Sequence, residues 1–171
     1  MKLGEHEMKS NQSVADEIRK YMNYIYLILF AGITMWYYLY STVLEYKYPY
    51  ALYLGLRYAL MAYVLVSIAL VVWQKQYSTV LEPVFMVLIL VSAGVVTYVV
   101  KDNAVFDFAL LLVGAKNVPW KRIAYVYLCI AVVIQGIAYY ASTTGIIADI
   151  TMQADRGVRH SLGIIYPTDM A

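Results

Sequence analysis

Apolar residues dominate four long stretches of the chain and one short one, with polar residues gathered between them. The long stretches are residues 22–43, 52–73, 83–100 and 123–142. Each has about the length a helix needs to cross a hydrocarbon core of ~30 Å at 1.5 Å per residue. The short stretch, 104–114, contains Asp107 and falls below the ~17 residues of an ordinary span. Two readings stay open for it: a tilted short span extended by Asp102 and Asn103 to 102–114, or a re-entrant segment. Such elements are tolerated where protein or a water-filled cavity surrounds them. Ser13-Val14-Ala15-Asp16 has the capping-box pattern, so a helix is expected to start there and run into the first span. Pro83 suits the first turn of a helix, and Gly145 suits a stop after the last one. The expected fold is all-α, a polytopic integral membrane protein with about five transmembrane helices, one of them short. It divides into a polar, amphipathic segment at 1–21, a transmembrane helical domain at 22–143 and an external segment at 144–171.

Composition agrees with that class. Hydrophobic residues make up 63% of the chain and charged residues 14%, where a soluble domain carries about a quarter charged. A net charge of +2 is too small to point to nucleic acid as a partner. The first apolar stretch is too long for a signal peptide and reads as an uncleaved span. The single cysteine, Cys129, lies in an apolar run and is expected to pack as a small hydrophobe.

Lysine and arginine near the span ends set the orientation. If all five segments cross, one side holds Lys2, Lys9, Arg19, Lys20, Lys75, Lys116, Lys121 and Arg122, and the other holds Lys47, Lys101, Arg156 and Arg159. That bias favours a cytoplasmic N-terminus and an external 144–171. It also favours a short span over a re-entrant segment at 104–114, since otherwise the basic loop 116–122 is exported. Tyr37, Tyr38, Tyr40, Tyr46, Tyr48, Tyr50 and Tyr53 crowd the first external turn. Tyrosine prefers the headgroup level, and its faces also suit sugar or lipid contact.

Few residues can carry chemistry. Arg57 lies inside the second span, where a cation either snorkels to the headgroups or faces a cavity or partner. Asp107 is either a buried carboxylate paired with a cation such as Arg57, or a group near the surface. Gln135 suits interhelical hydrogen bonding. In the external segment, a helical turn would put Arg156 and Arg159 on one face, where two guanidinium forks suit a phosphate or pyrophosphate. His160 is a candidate acid or base, and Asp169 a candidate base or ion-pair partner. No metal set or cofactor motif appears.

The string at 156–171, RGVRHSLGIIYPTDMA, resembles a segment of membrane polysaccharide polymerases from Gram-positive capsule and exopolysaccharide clusters. These are Wzy-type relatives of O-antigen polymerases and ligases. Arg159, Ser161-Leu162-Gly163, Ile164-Ile165 and Tyr166-Pro167 carry the likeness. The run Leu110 to Val118 followed by Lys121-Arg122-Ile123 adds a weaker one. The resemblance implies transfer of a growing glycan from undecaprenyl pyrophosphate to the next lipid-linked repeat unit, on the outer face of the cell membrane. It implies no cofactor, and partners among the lipid-linked oligosaccharide, the bilayer and other polysaccharide assembly proteins. By position it makes Arg159 the first choice for pyrophosphate contact, then Arg156; Arg57 is a further candidate from its place in the second span, as a cation facing an anionic substrate in a cavity open to the outside. His160 and Asp169 become candidates for proton transfer or orientation.

Family members are longer, so the chain reads as the N-terminal portion of such a glycosyltransferase-type enzyme, inactive alone. Two other readings remain. One is a small multi-span accessory or assembly protein. The other is a transporter fragment, which a membrane-embedded Arg57–Asp107 pair and an interrupted helix at 104–114 would support.

Overall fold

The computed structural model describes residues 2–41, 50–73, 81–146, 151–154 and 157–160, with side chains over 17–40, 50–72 and 81–146. Five helices follow one another: α1 (Lys2–Ser41), α2 (Tyr50–Trp73), α3 (Leu81–Val100), α4 (Ala104–Gly114) and α5 (Trp120–Thr143). A two-stranded antiparallel hairpin of β1 (Thr151–Ala154) and β2 (Gly157–His160) follows α5. Four helical stretches, Glu17–Tyr40, Tyr50–Val72, Leu81–Val100 and Trp120–Thr143, are long and apolar enough to cross a membrane. The fold is therefore all-α in its body, with four candidate spans and one short helix.

The surface supports that class. Leu65, Val66, Val84, Phe85, Leu88, Val91, Leu128 and Val132 are exposed on α2, α3 and α5. Apolar helices that stay apolar on their outer face suit a hydrocarbon surrounding, not water.

Helix ends follow local chemistry, with two departures from expectation. α1 begins at Lys2, not at the Ser13 capping box. Once a helix is nucleated, extending it through Glu5, Met8 and Lys9 is easy, and the capping residues alone do not stop it. The segment around Arg159 is a strand, not a helical turn, with Arg159 paired to Met152 and His160 to Thr151. Gly157 opens that strand, and glycine is a poor helix former. The stop at Gly145 is as expected. Gly145 adopts φ +72°. Its N–H bonds the Ser142 carbonyl at 3.2 Å, and the Ile146 N–H bonds Ala141 at 2.9 Å. This is a Schellman cap.

α3 ends differently. Lys101 takes φ +59° and donates its N–H to Thr97 at 2.8 Å. A side chain in the left-handed region is strained by about 1–2 kcal/mol, a conformation glycine adopts freely. Lys101→Gly should therefore raise the thermal midpoint slightly, by up to about 1 kcal/mol in stability. A lowered midpoint would mean the lysine side chain contributes more than its backbone loses.

Specific contacts set the helix directions. Tyr26 and Tyr37 of α1 meet Leu111 and Asp107 of α4, so these helices run antiparallel. Arg57 and Tyr63 of α2 approach Asp107 and Gly114, so α2 and α4 run parallel. The chain turns back after α3, and Lys116, in the short 3-10 turn Ala115–Asn117, reaches Glu82 at the start of α3 at 2.8 Å. α4 and that turn thus return the chain along the length of α3. α1 and α5 lie side by side, with the Tyr38 hydroxyl donating to that of Tyr127 at 2.8 Å.

The core forms where α1, α2 and α4 meet, from Tyr26, Phe30, Ile33, Leu60, Tyr63, Val64, Leu110 and Val113, joined by Met86 and Val118. α4 is about 16 Å long at 1.5 Å per residue, half a bilayer core. It lies among longer helices, and one of its end carbonyls, that of Leu111, takes a hydrogen bond from the Tyr26 hydroxyl at 2.8 Å. The same carbonyl accepts the Ala115 N–H, so the tyrosine adds a second donor from a neighbouring helix at this end of α4.

Candidate functional site

The one acid inside an apolar stretch is also the most enclosed polar group described. Asp107 sits in the first turn of α4 and is 0% exposed. A carboxylate near a helix N-terminus gains from the positive end of the dipole. The turn itself is capped from outside, by Asp102 accepting the Ala104 N–H at 2.9 Å.

Two hydroxyl donors and one cation from two other helices converge on Asp107. Tyr37 of α1 donates its hydroxyl to Oδ2 at 2.8 Å. Tyr53 of α2 donates to the same oxygen. Arg57, one turn further along α2, places Nε 2.9 Å from Oδ1. That approach is too bent for a hydrogen bond, so the attraction is chiefly Coulombic. The guanidinium also lies over the Phe106 ring, 5.5 Å from its centroid. Tyr53 is held in turn by Trp36, stacked at 5.1 Å, and by Tyr50 at 5.6 Å.

This resolves two open readings. Arg57 turns inward to Asp107 and does not snorkel, and its side chain is 15% exposed. Asp107 is the buried, paired carboxylate. A cation and an acid that would each be costly in hydrocarbon offset one another, and the tyrosine hydroxyls fill remaining acceptor capacity.

The tyrosines that sequence assigned together to the interface divide by direction. Tyr40 and Tyr50 are exposed, whereas Tyr53 is buried against Asp107. Sequence reading missed Tyr37 and Tyr53 as carboxylate partners. A phenol within an apolar helix that must bond somewhere was the available signal. Cys129 is exposed on α5 and does not pack within the bundle.

The remaining candidates belong to the segment after α5. Arg159 and His160 lie on β2. Arg156 and Asp169 lie outside the described residues, as do Asp149, Asp155 and the Tyr166-Pro167 turn. The structure brings Arg57 together with Asp107. Among the described residues, no three His, Cys, Asp or Glu side chains converge.

Beside the polar cluster, α1, α4 and α5 enclose an apolar groove of about 440 Å³ lined by Phe30, Phe108, Leu111, Trp120 and Ile123. An adjoining hollow of about 330 Å³ ends at Tyr37, Tyr38 and Tyr127. No family model, curated protein or solved structure matches the chain. What defines it is a helical fold with four candidate spans around a short, charge-paired helix.

Proposed function

We propose that this chain works within a membrane polysaccharide polymerase, transferring a pyrophosphate-linked glycan to the next repeat unit on the outer membrane face. The observation that carries the reading is the residue pattern at 159–167, Arg159 with Ser161-Leu162-Gly163 and Tyr166-Pro167, placed after the last candidate span. The N-terminus is then cytoplasmic, and the Asp107 end of α4 shares the outer side with β2.

The chemistry requires two tasks. The acceptor hydroxyl oxygen forms a bond to the anomeric carbon of the growing glycan, and the bond from that carbon to the pyrophosphate oxygen breaks. Negative charge grows on the departing pyrophosphate, where arginine donors stabilise it. Arg159 is assigned this role, with Arg156 as the second candidate. The acceptor proton passes to a base, for which His160 and Asp169 are the candidates. Arg159→Lys keeps the charge but loses the two-pronged fork. In cells that depend on this protein for polymer, Arg159→Lys should collapse the glycan length ladder to short oligomers at unchanged protein level. A normal ladder would remove Arg159 from the site.

A transporter is the second reading, favoured by the buried Arg57–Asp107 pair on a helix too short to span alone. Asp107→Asn in cells separates the two: lost solute uptake with a normal glycan ladder supports the transporter.

A further inference from the structure

The grip on Asp107 is unequal, and that inequality has a consequence for Arg57. Asp107 is fully enclosed in the first turn of α4 and accepts two tyrosine hydroxyls in addition to facing the arginine. Arg57 meets Asp107 through Nε alone, at a bent angle, and retains 15% exposure. A guanidinium offers five N–H donors, and its best match is a two-pronged contact with a carboxylate or phosphate. The present pair does not make that match. If Arg57 turns its fork to an arriving anion, its charge stays within Coulombic reach of Asp107, which also keeps both phenol donors. The guanidinium lies over the Phe106 ring, 5.5 Å from its centroid.

We infer that Asp107 is an exchangeable counter-ion for Arg57, which gives up the guanidinium to a phosphate group arriving at this end of the bundle. Asp107 occupies Arg57 at rest and so keeps a desolvated cation matched when no ligand is present. A phosphate takes two N–H donors of Arg57 in place of one strained contact. The tyrosines determine how readily the exchange occurs, because they stabilise the carboxylate that is left behind. The ligand class is a phosphomonoester or pyrophosphate, whether free or on a lipid headgroup. This deepens the polymerase reading and rests on it for the identity of the ligand, but not for the exchange itself.

Competition from within the chain lowers apparent affinity by the fraction of molecules in which Arg57 is tied up. Removing the competitor should raise affinity, and weakening the tyrosine hold on Asp107 should lower it. The full chain in phosphatidylcholine discs, titrated with inorganic pyrophosphate, tests both directions. Asp107→Asn should bind about tenfold tighter than the wild type, the change that 1.4 kcal/mol produces. Tyr53→Phe should bind more weakly, because Asp107 then depends more on Arg57. The pair Arg57→Gln/Asp107→Asn should lose binding while keeping no buried charge.

A purely structural cluster would not move these variants in opposite directions. Equal or weaker binding by Asp107→Asn, or undiminished binding by the double variant, overturns the exchange. Should Asp107→Asn fail to fold, Tyr53→Phe decides alone, and unchanged or tighter binding there overturns it. Discs containing phosphatidic acid identify the source. Tighter retention of that lipid by Asp107→Asn without pyrophosphate binding assigns the site to a headgroup, and binding of both assigns it to phosphate in general. Exchange by the chain, together with an unchanged glycan ladder in cells deleted for it, would retain this inference and discard the polymerase reading.

Discussion

Arg57→Leu should destabilise the bundle by about 3–5 kcal/mol, the range for breaking a buried ion pair from one side. The change strands the Asp107 carboxylate, which is 0% exposed and has no other cation in contact among the described residues. Tyr37 and Tyr53 keep their hydrogen bonds to it, but two neutral donors do not replace a full positive charge. Asp107→Leu should be milder, because Arg57 is already 15% exposed and can turn toward the headgroups. The double variant Arg57→Leu/Asp107→Leu should recover most of the loss, since an apolar pair of similar bulk needs no desolvation. Unfolding in mixed micelles, read as a double-mutant cycle, gives the coupling directly. A snorkelling arginine would contribute almost nothing. An Arg57→Leu effect within about 0.5 kcal/mol of zero, typical of surface sites, would therefore remove the pair from the stability of the fold.

How much of this was readable in the sequence depends on the physical range of each signal. The long spans were readable because twenty apolar residues in a row leave few alternatives to a membrane. The Arg57–Asp107 pair was half-readable. One cation and one acid inside apolar stretches suggest each other, but whether a long side chain turns in or out depends on packing that spacing does not report. Tyr37 and Tyr53 were read with their exposed neighbours because composition has no direction, and only the helix phase separates Tyr53 from Tyr50. The start of α1 at Lys2 and the strand at Gly157–His160 were missed for a related reason. Capping and short-range patterns are weak preferences, worth about a kilocalorie per mole, and neighbouring residues override them. The role of Gly114 was not readable, since nothing in a Val-Gly-Ala run marks which side chains from distant helices lean on it.

Gly114→Val should lower stability by at least about 1–3 kcal/mol, the usual cost of overpacking a filled core. A Cβ at Gly114 would lie 2.9 Å from Cε2 and 3.1 Å from Cδ2 of Tyr26, and 3.3 Å from Cε1 of Tyr63. Neither ring has room to retreat. Tyr26 is 1% exposed, stacks with Phe30 at 6.0 Å and is tethered by its hydroxyl to the Leu111 carbonyl. Pushing it aside breaks that bond and leaves the Leu111 carbonyl with the Ala115 N–H as its remaining donor. The replacement gains something as well, because valine is a better helix former than glycine by a few tenths of a kilocalorie per mole. The steric term is larger, and it falls on the helix that carries Asp107. Gly136→Ala on α5 is the matched control, because nothing lies within 4 Å of a Cβ there. It should be neutral or stabilising by up to about 1 kcal/mol. Thermal unfolding of the two variants side by side separates helix propensity from the fit of α4. If Gly114→Val melts with the wild type, Tyr26 does not hold α4 in place, and the end of that helix opposite Asp107 is loosely packed.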